Sequence, residues 1–152
     1  MLQQLLPDGV TPIGSPIQSV SSTYILHGSC SDIYPLFLVL DRTDADGPLV
    51  ESPSLVKVDG VYVLFFSSNC RSTGFYDTSY ATADNILGPY TRAIAPLLQT
   101  GTPFAKLYAP GGLDIGHGGV NVVFNADVGM TDSTRQLYSG QVKISGTTVH
   151  FT

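Results

Sequence analysis

The sequence predicts an all-β chain assembled from repeated four-stranded antiparallel units, and three observations predict it. First, strand formers dominate: 8 Tyr and 7 Phe stand in a chain of 152 residues of which only 12% are charged. Second, 16 Gly and 10 Pro are scattered without a period, which punctuates short strands and excludes a collagen-like chain. Third, the chain repeats itself at an offset of 58 residues: Leu55 matches Leu113, Gly60 matches Gly118, Phe66 matches Phe124, Tyr80 matches Tyr138 and Gly88 matches Gly146.

That one offset aligns four strand-like segments. In the first copy they are 53–58, 61–67, 76–82 and 89–94, and in the second 111–116, 119–125, 134–140 and 147–152. Asp59-Gly60, Gly118-Gly119 and Ser145-Gly146 supply the hairpin signals, because both central residues of a tight hairpin turn take positive φ. The second strand of each copy is a near-continuous apolar run, which predicts burial on both faces. Four antiparallel strands recurring every 40–60 residues or so are the signature of propeller blades, each of which buries its faces only against a neighbour. A β-sandwich is the alternative that the pattern leaves open.

The first fifty residues differ. Segment 7–18 carries Asp8-Gly9 and Gly14-Ser15-Pro16 and reads as a hairpin and a strand. Segment 19–37 has no clean period, and 41–47 is acidic and turn-rich. The N-terminus lacks a basic start and its apolar stretch is broken by Gln3, Gln4 and Pro7, so it does not read as a signal peptide. The longest apolar run, Ile33 to Leu40, contains Pro35 and falls far below the roughly 20 residues that span a bilayer.

Charge narrows the partners. Seven Lys+Arg against twelve Asp+Glu give a net charge of −5, which argues against nucleic acid and anionic membranes. Few charges with many aromatics exclude a disordered acidic chain. Cys30 and Cys70 have no metal-ligand spacing, and a disulfide between them is one reading. His27 and His150 stand without a partner motif. His117, beside Gly116 and Gly118-Gly119, aligns with Asp59 and reads as a turn residue. The glycines there precede a strand rather than a helix, so they do not form a phosphate loop. No metal and no cofactor are expected.

Glu51 is the candidate for chemistry. It precedes Ser52-Pro53-Ser54-Leu55-Val56 in a charge-poor segment. A carboxyl at the start of a blade's inner strand would face the axis, where desolvation favours the neutral acid. A neutral carboxylic acid can protonate a glycosidic oxygen. An exposed turn Glu is the plain alternative. The loop after the second strand lies at the same end of a blade. Ser68, Asn69 and Cys70 could therefore hydrogen-bond a ligand there, and Phe75 or Tyr76 could stack on a ring. Asn125 ends the equivalent strand of the second copy, and Gly111-Gly112 opens that copy.

The block Val50-Glu51-Ser52-Pro53-Ser54-Leu55-Val56-Lys57, the run Asp59-Gly60-Val61-Tyr62-Val63-Leu64-Phe65-Phe66-Ser67-Ser68-Asn69-Cys70 and the segments Tyr76–Thr82 and Gly88–Thr91 resemble glycoside hydrolase family 43. The resemblance runs from about Leu49 to Phe151 and weakly over Leu2 to Gln18. It implies an all-β fold that is part of a five-bladed β-propeller, with 49–94 as one blade and 111–152 as the next. It implies a secreted glycosidase that inverts configuration at arabinose- or xylose-containing plant polysaccharides, with Glu51 as general acid; Ser68, Asn69, Phe75 and Asn125 are substrate-binding candidates by their place in the blades rather than by the resemblance. It also implies an Asp base and a second Asp that orients the acid. Neither has a matching position here, since Asp8, Asp32, Asp41, Asp44 and Asp46 stand in turn-like contexts. Near Gly112 or Asn125 some relatives carry a His that lines the axis or helps to hold a cation; the Gly and Asn found here argue against a metal role. Cys70 matches a Cys of some relatives and is expected to be a small buried hydrophobe. Segment 19–37 has no counterpart and is expected to be an insertion or a translated intron, and the chain a catalytically incomplete piece. Two other classes remain: a carbohydrate-binding β-domain, disfavoured by the absence of Trp, and a pseudoenzyme fragment.

Overall fold

The computed structural model describes residues 2–5, 11–17, 49–129 and 134–152. The expectations for Asp8-Gly9, 19–37, 41–47, His27 and Cys30 lie outside them. Ten strands are described: β1 (Leu2–Leu5), β2 (Pro12–Ile17), β3 (Val50–Val58), β4 (Val61–Ser68), β5 (Asp77–Ala83), β6 (Thr91–Arg92), β7 (Leu107–Ile115), β8 (Asn121–Val128), β9 (Arg135–Ser145) and β10 (Thr148–Phe151). β1 and β2 form an antiparallel hairpin. The other eight make two four-stranded sheets in sequential order, β3-β4-β5-β6 and β7-β8-β9-β10, every pair antiparallel.

Two four-stranded units in tandem are what the internal repeat predicts. A single ungapped offset is not kept, however. The first strands begin 57 residues apart (Val50, Leu107), the second 60 (Val61, Asn121) and the third 58 (Asp77, Arg135). The reason is turn length. Asp59-Gly60 closes the first hairpin in two residues, both at positive φ. The second hairpin spends 116–120 on its turn, with His117 inside it at the end away from Glu51. Gly119 is required in that turn, since a Cβ there would lie 2.4 Å from the Val58 side chain.

The fourth strand of the first sheet is much shorter than the expected 89–94. Pro89 has no N–H to give to a ladder, and after Arg92 the chain is caught differently. Ala93 N–H donates to the Tyr80 carbonyl at 2.9 Å and Leu97 N–H to the Thr78 carbonyl at 2.8 Å. By contrast β7 starts four residues before the expected 111 and β9 runs to Ser145.

The main core lies between the two sheets. Val56, Val63, Phe65 and Tyr80 of the first sheet meet Leu113, Ile115, Val122, Phe124 and Val142 of the second. Successive strand residues alternate in direction, so Leu64 and Phe66 of β4 point to the other face, where they pack with Ala81, Ala83 and Tyr90. β4 is thus buried on both faces, as its apolar run predicts. β8 is not: Val123 is 41% exposed on its outer face. Three polar links tie the sheets together. Ser54 Oγ donates to Asp114 Oδ1 at 2.6 Å and accepts the Ile115 N–H at 3.1 Å. Ser67 Oγ accepts the Gly112 N–H at 2.7 Å. Tyr80 Oη accepts the Val149 N–H at 3.1 Å.

Candidate active site at the open end of the two sheets

Glu51 sits opposite Ser67 at the start of β3, where the ladder slips between Glu51 and Ser54. Ser52 inside that bulge has φ of 54°, in the left-handed region, so the strand bends just where it presents the carboxyl. Glu51 itself is exposed. The burial expected at this position is absent, because among the described residues the second sheet covers only one face of β3. The buried group is its partner instead. Tyr76 is 3% exposed and its hydroxyl donates to Glu51 Oε1 at 2.6 Å. Burial, then the hydrogen bond to Glu51, push the Tyr76 phenol up to about 12, against a smaller opposing contribution from Ser67.

The second sheet completes this corner. A Cβ on Gly111 would fall 2.1 Å from the Tyr76 ring, so the ring occupies the space that the missing side chain leaves. The Arg135 guanidinium stands 5.5 Å from the Tyr76 ring centroid. Its Nε donates to Asn125 Oδ1 at 2.5 Å and its terminal nitrogen to the Asn125 carbonyl at 2.9 Å. The other terminal nitrogen lies 3.6 Å from Asp127 Oδ2. Burial pushes the Arg135 pKa down, and Asp127 opposes that shift. Gly112, at φ of 64°, lets Asn125 approach to within 2.7 Å of where a Cβ would stand.

A second polar cluster lies behind the first. Asp77 is 4% exposed and accepts hydrogen bonds from Ser68 Oγ and Ser79 Oγ, both at 2.9 Å, and from Asn69 Nδ2 at 3.3 Å. Arg92 donates to Ser79 Oγ at 2.9 Å. Burial raises the Asp77 pKa, and the Ser68, Ser79, Arg92 and Asn69 partners oppose it.

The expected site residues therefore part ways. Glu51, Tyr76 and Asn125 converge at one end of the two sheets. Ser68 has no exposed surface and commits its hydroxyl to Asp77, so it does not reach a ligand in this structure. Asn69 is half-buried at φ of 69° and also serves Asp77. Asn125 holds Arg135. Phe75 is 79% exposed beside Tyr76 and is free to stack on a ring. Tyr76, in contrast, has its ring packed on Gly111. Cys70 is buried but disulfide-bonded, not a free thiol, and its partner lies outside the described residues. Among the described residues no three His, Cys, Asp or Glu side chains gather as a metal site.

Sequence reasoning missed Arg135, Ser67, Asp77 and Asp127. The available signal for Arg135 was its rarity, as one of seven cations in the chain, at the start of a strand. A cleft of about 1060 Å³ lies elsewhere, between the β5–β6 edge and β10, and neither Glu51 nor Tyr76 lines it.

No family model matches the sequence, and no curated protein matches it. Solved structures do. An endo-1,4-beta-xylanase from Bacteroides thetaiotaomicron is 28% identical with a TM-score of 0.62, covering 74% of this chain and 40% of the xylanase. A thermostable family-43 glycoside hydrolase matches with a TM-score of 0.71 and 19% identity, over 98% of this chain and 45% of that one. An exo-1,5-alpha-L-arabinanase from a bovine ruminal metagenomic library matches with a TM-score of 0.70 and 17% identity, over 99% and 48%. The chain thus spans less than half the length of these structures, and it shares its all-β fold with glycoside hydrolases whose names include xylanase and arabinanase.

Proposed function

We propose that this chain is part of a five-bladed propeller of glycoside hydrolase family 43, acting on arabinose- or xylose-containing polysaccharide. Glu51 is its general acid. The observation that carries this reading is the Glu51 carboxyl, exposed and held by Tyr76 where the ends of the two sheets meet. The fold likeness to xylan- and arabinan-named hydrolases supports it, as does an arabinanase solved with arabinohexaose, matched at a TM-score of 0.55.

In this reading Glu51 gives its proton to the glycosidic oxygen and Phe75 receives a sugar ring. An inverting reaction also needs a carboxylate base about 6.5–9.5 Å from the acid, around a water. Among the described residues, Asp77 and Asp127 are buried and engaged by their own partners. The chain is then a binding half-site with the acid in place and no turnover of its own. No cofactor is required, and the protein would act outside the cell, where such polysaccharides are found.

Two assays test this. Titration with arabino- and xylo-oligosaccharides should give binding that Phe75→Ala weakens at least about tenfold, the order of a lost stacking contact. Aryl arabinofuranosides and xylosides should not be hydrolysed. No saccharide binding overturns the reading as a whole. Hydrolysis abolished by Glu51→Gln overturns the claim that no partner carboxylate serves as base and leaves the acid assignment standing.

A further inference from the structure

We infer that Glu51 is positioned from the neighbouring sheet: Asn125 and Gly111 fix Arg135 and Tyr76, and Tyr76 engages Oε1 so that Oε2 is the oxygen presented to a ligand. This rests on the assignment of Glu51 as the acid. It adds a device that Glu51's own strand does not contain.

The chain of contacts is continuous. Asn125, which lies inside β8 rather than ending it because the ladder continues to Asp127, accepts from Arg135 Nε through its side chain and from a terminal nitrogen through its carbonyl, which fixes the guanidinium in two directions. The guanidinium in turn stands over the Tyr76 ring. The backbone of Gly111 also meets the ring, at a position where any Cβ would collide. The Gly112 N–H pins Ser67, which pairs with Glu51 across the ladder and also hydrogen-bonds Tyr76. The ring therefore has one place to sit, and its hydroxyl reaches Oε1. Glu51 is otherwise an exposed side chain on a bulged strand end. Such a side chain samples several rotamers unless a partner holds it.

Two chemical consequences follow. The phenol is a donor to the carboxylate and keeps its proton at any physiological pH, so it cannot compete as an acid with Glu51. With Oε1 engaged, a proton exchanged with a ligand moves through Oε2. Tyr76 and Arg135 are thus positioning residues in this account and touch no reacting atom.

The test is NMR of the full chain. Couplings between Hα and Hβ of Glu51 should report one dominant rotamer, with contacts from its Hγ atoms to the Tyr76 ring. Tyr76→Phe should average those couplings while the amide spectrum away from the corner is unchanged, and Arg135→Gln should do so in part. Averaged Glu51 couplings in the unsubstituted chain overturn the proposal without any variant, so a variant that fails to fold does not rescue it. Couplings unchanged by Tyr76→Phe overturn it as well. A fixed Glu51 in a chain that binds no saccharide supports the positioning and removes only the functional reading. Saccharide binding with a freely rotating Glu51 does the reverse.

Discussion

The ring of Tyr76 occupies the space that a side chain at Gly111 would fill, so a residue of the first sheet and a glycine of the second share one volume at the candidate site. Glycine at 111 is needed for this close approach and not for its φ, which is not positive. Gly111→Ala should therefore cost about 1–3 kcal/mol, the usual cost of overpacking. Denaturant unfolding measures it. Tyr76→Ala in the same background should recover part of the loss, because it removes the colliding ring.

The Tyr76 phenol offers a spectroscopic handle. Its midpoint near 12 is raised by burial and then by Glu51. Glu51→Gln removes a negative charge beside the phenolate and should lower the midpoint. Arg135→Gln removes a favourable positive charge and should raise it. The ultraviolet difference between each protein and its Tyr76→Phe counterpart isolates this one tyrosine, and opposite shifts in the two variants are the expected result.

Asp77 predicts an unusual pH dependence. Its folded-state pKa is raised above the unfolded value, so the folded state binds the proton more tightly. The contribution is fully present below the unfolded pKa and is lost as pH rises through the folded pKa. Asp77→Asn should flatten the stability profile on the acidic side of neutrality. A wild-type chain whose stability in that window rises more steeply than the variant's would contradict this assignment.

The link between Tyr80 and Val149 tests how firmly the sheets are joined. Both residues are buried. Tyr80→Phe keeps the ring against Phe65, whose centroid is 6.1 Å away, and removes only the oxygen that accepts the Val149 N–H. An orphaned buried N–H costs about 1–3 kcal/mol. Equilibrium unfolding should show a loss in that range, and hydrogen exchange at Val149 should accelerate.

Much of the fold was legible in the sequence because its determinants are local. Asp59-Gly60 specifies a two-residue turn, the apolar run of β4 specifies two buried faces, and the repeat specifies two equivalent sheets; the last hairpin turns one residue later than Ser145-Gly146, at Gly146-Thr147, because Ser145 still pairs with Thr148 in the ladder. What was not legible depends on contacts distant in sequence. The 58-residue offset is lost where a five-residue turn replaces a two-residue one, and that longer turn sets Gly119 against Val58 of the other sheet. Ser68 and Asn69 read as ligand-binding because they are polar and follow a strand. Their partner Asp77 is eight or nine residues on, and the burial of Asp77 made them internal. Glu51 was legible as the carboxyl to watch. Its exposure was one of the two readings that its sequence context left open, whereas its hold by Tyr76, 25 residues away, was not legible.

In the proposed function a pentose oligosaccharide binds at the end of the two sheets that carries Glu51. The most direct measurement is an amide and side-chain chemical-shift map of the chain titrated with xylo- and arabino-oligosaccharides at millimolar concentration. Saturable shifts centred on Glu51, Phe75, Tyr76 and Arg135, diminished by Phe75→Ala, are the expected result. Shifts confined to the cleft lined by Thr82, Asp84, Thr148 and His150, or no shifts at all, would contradict it.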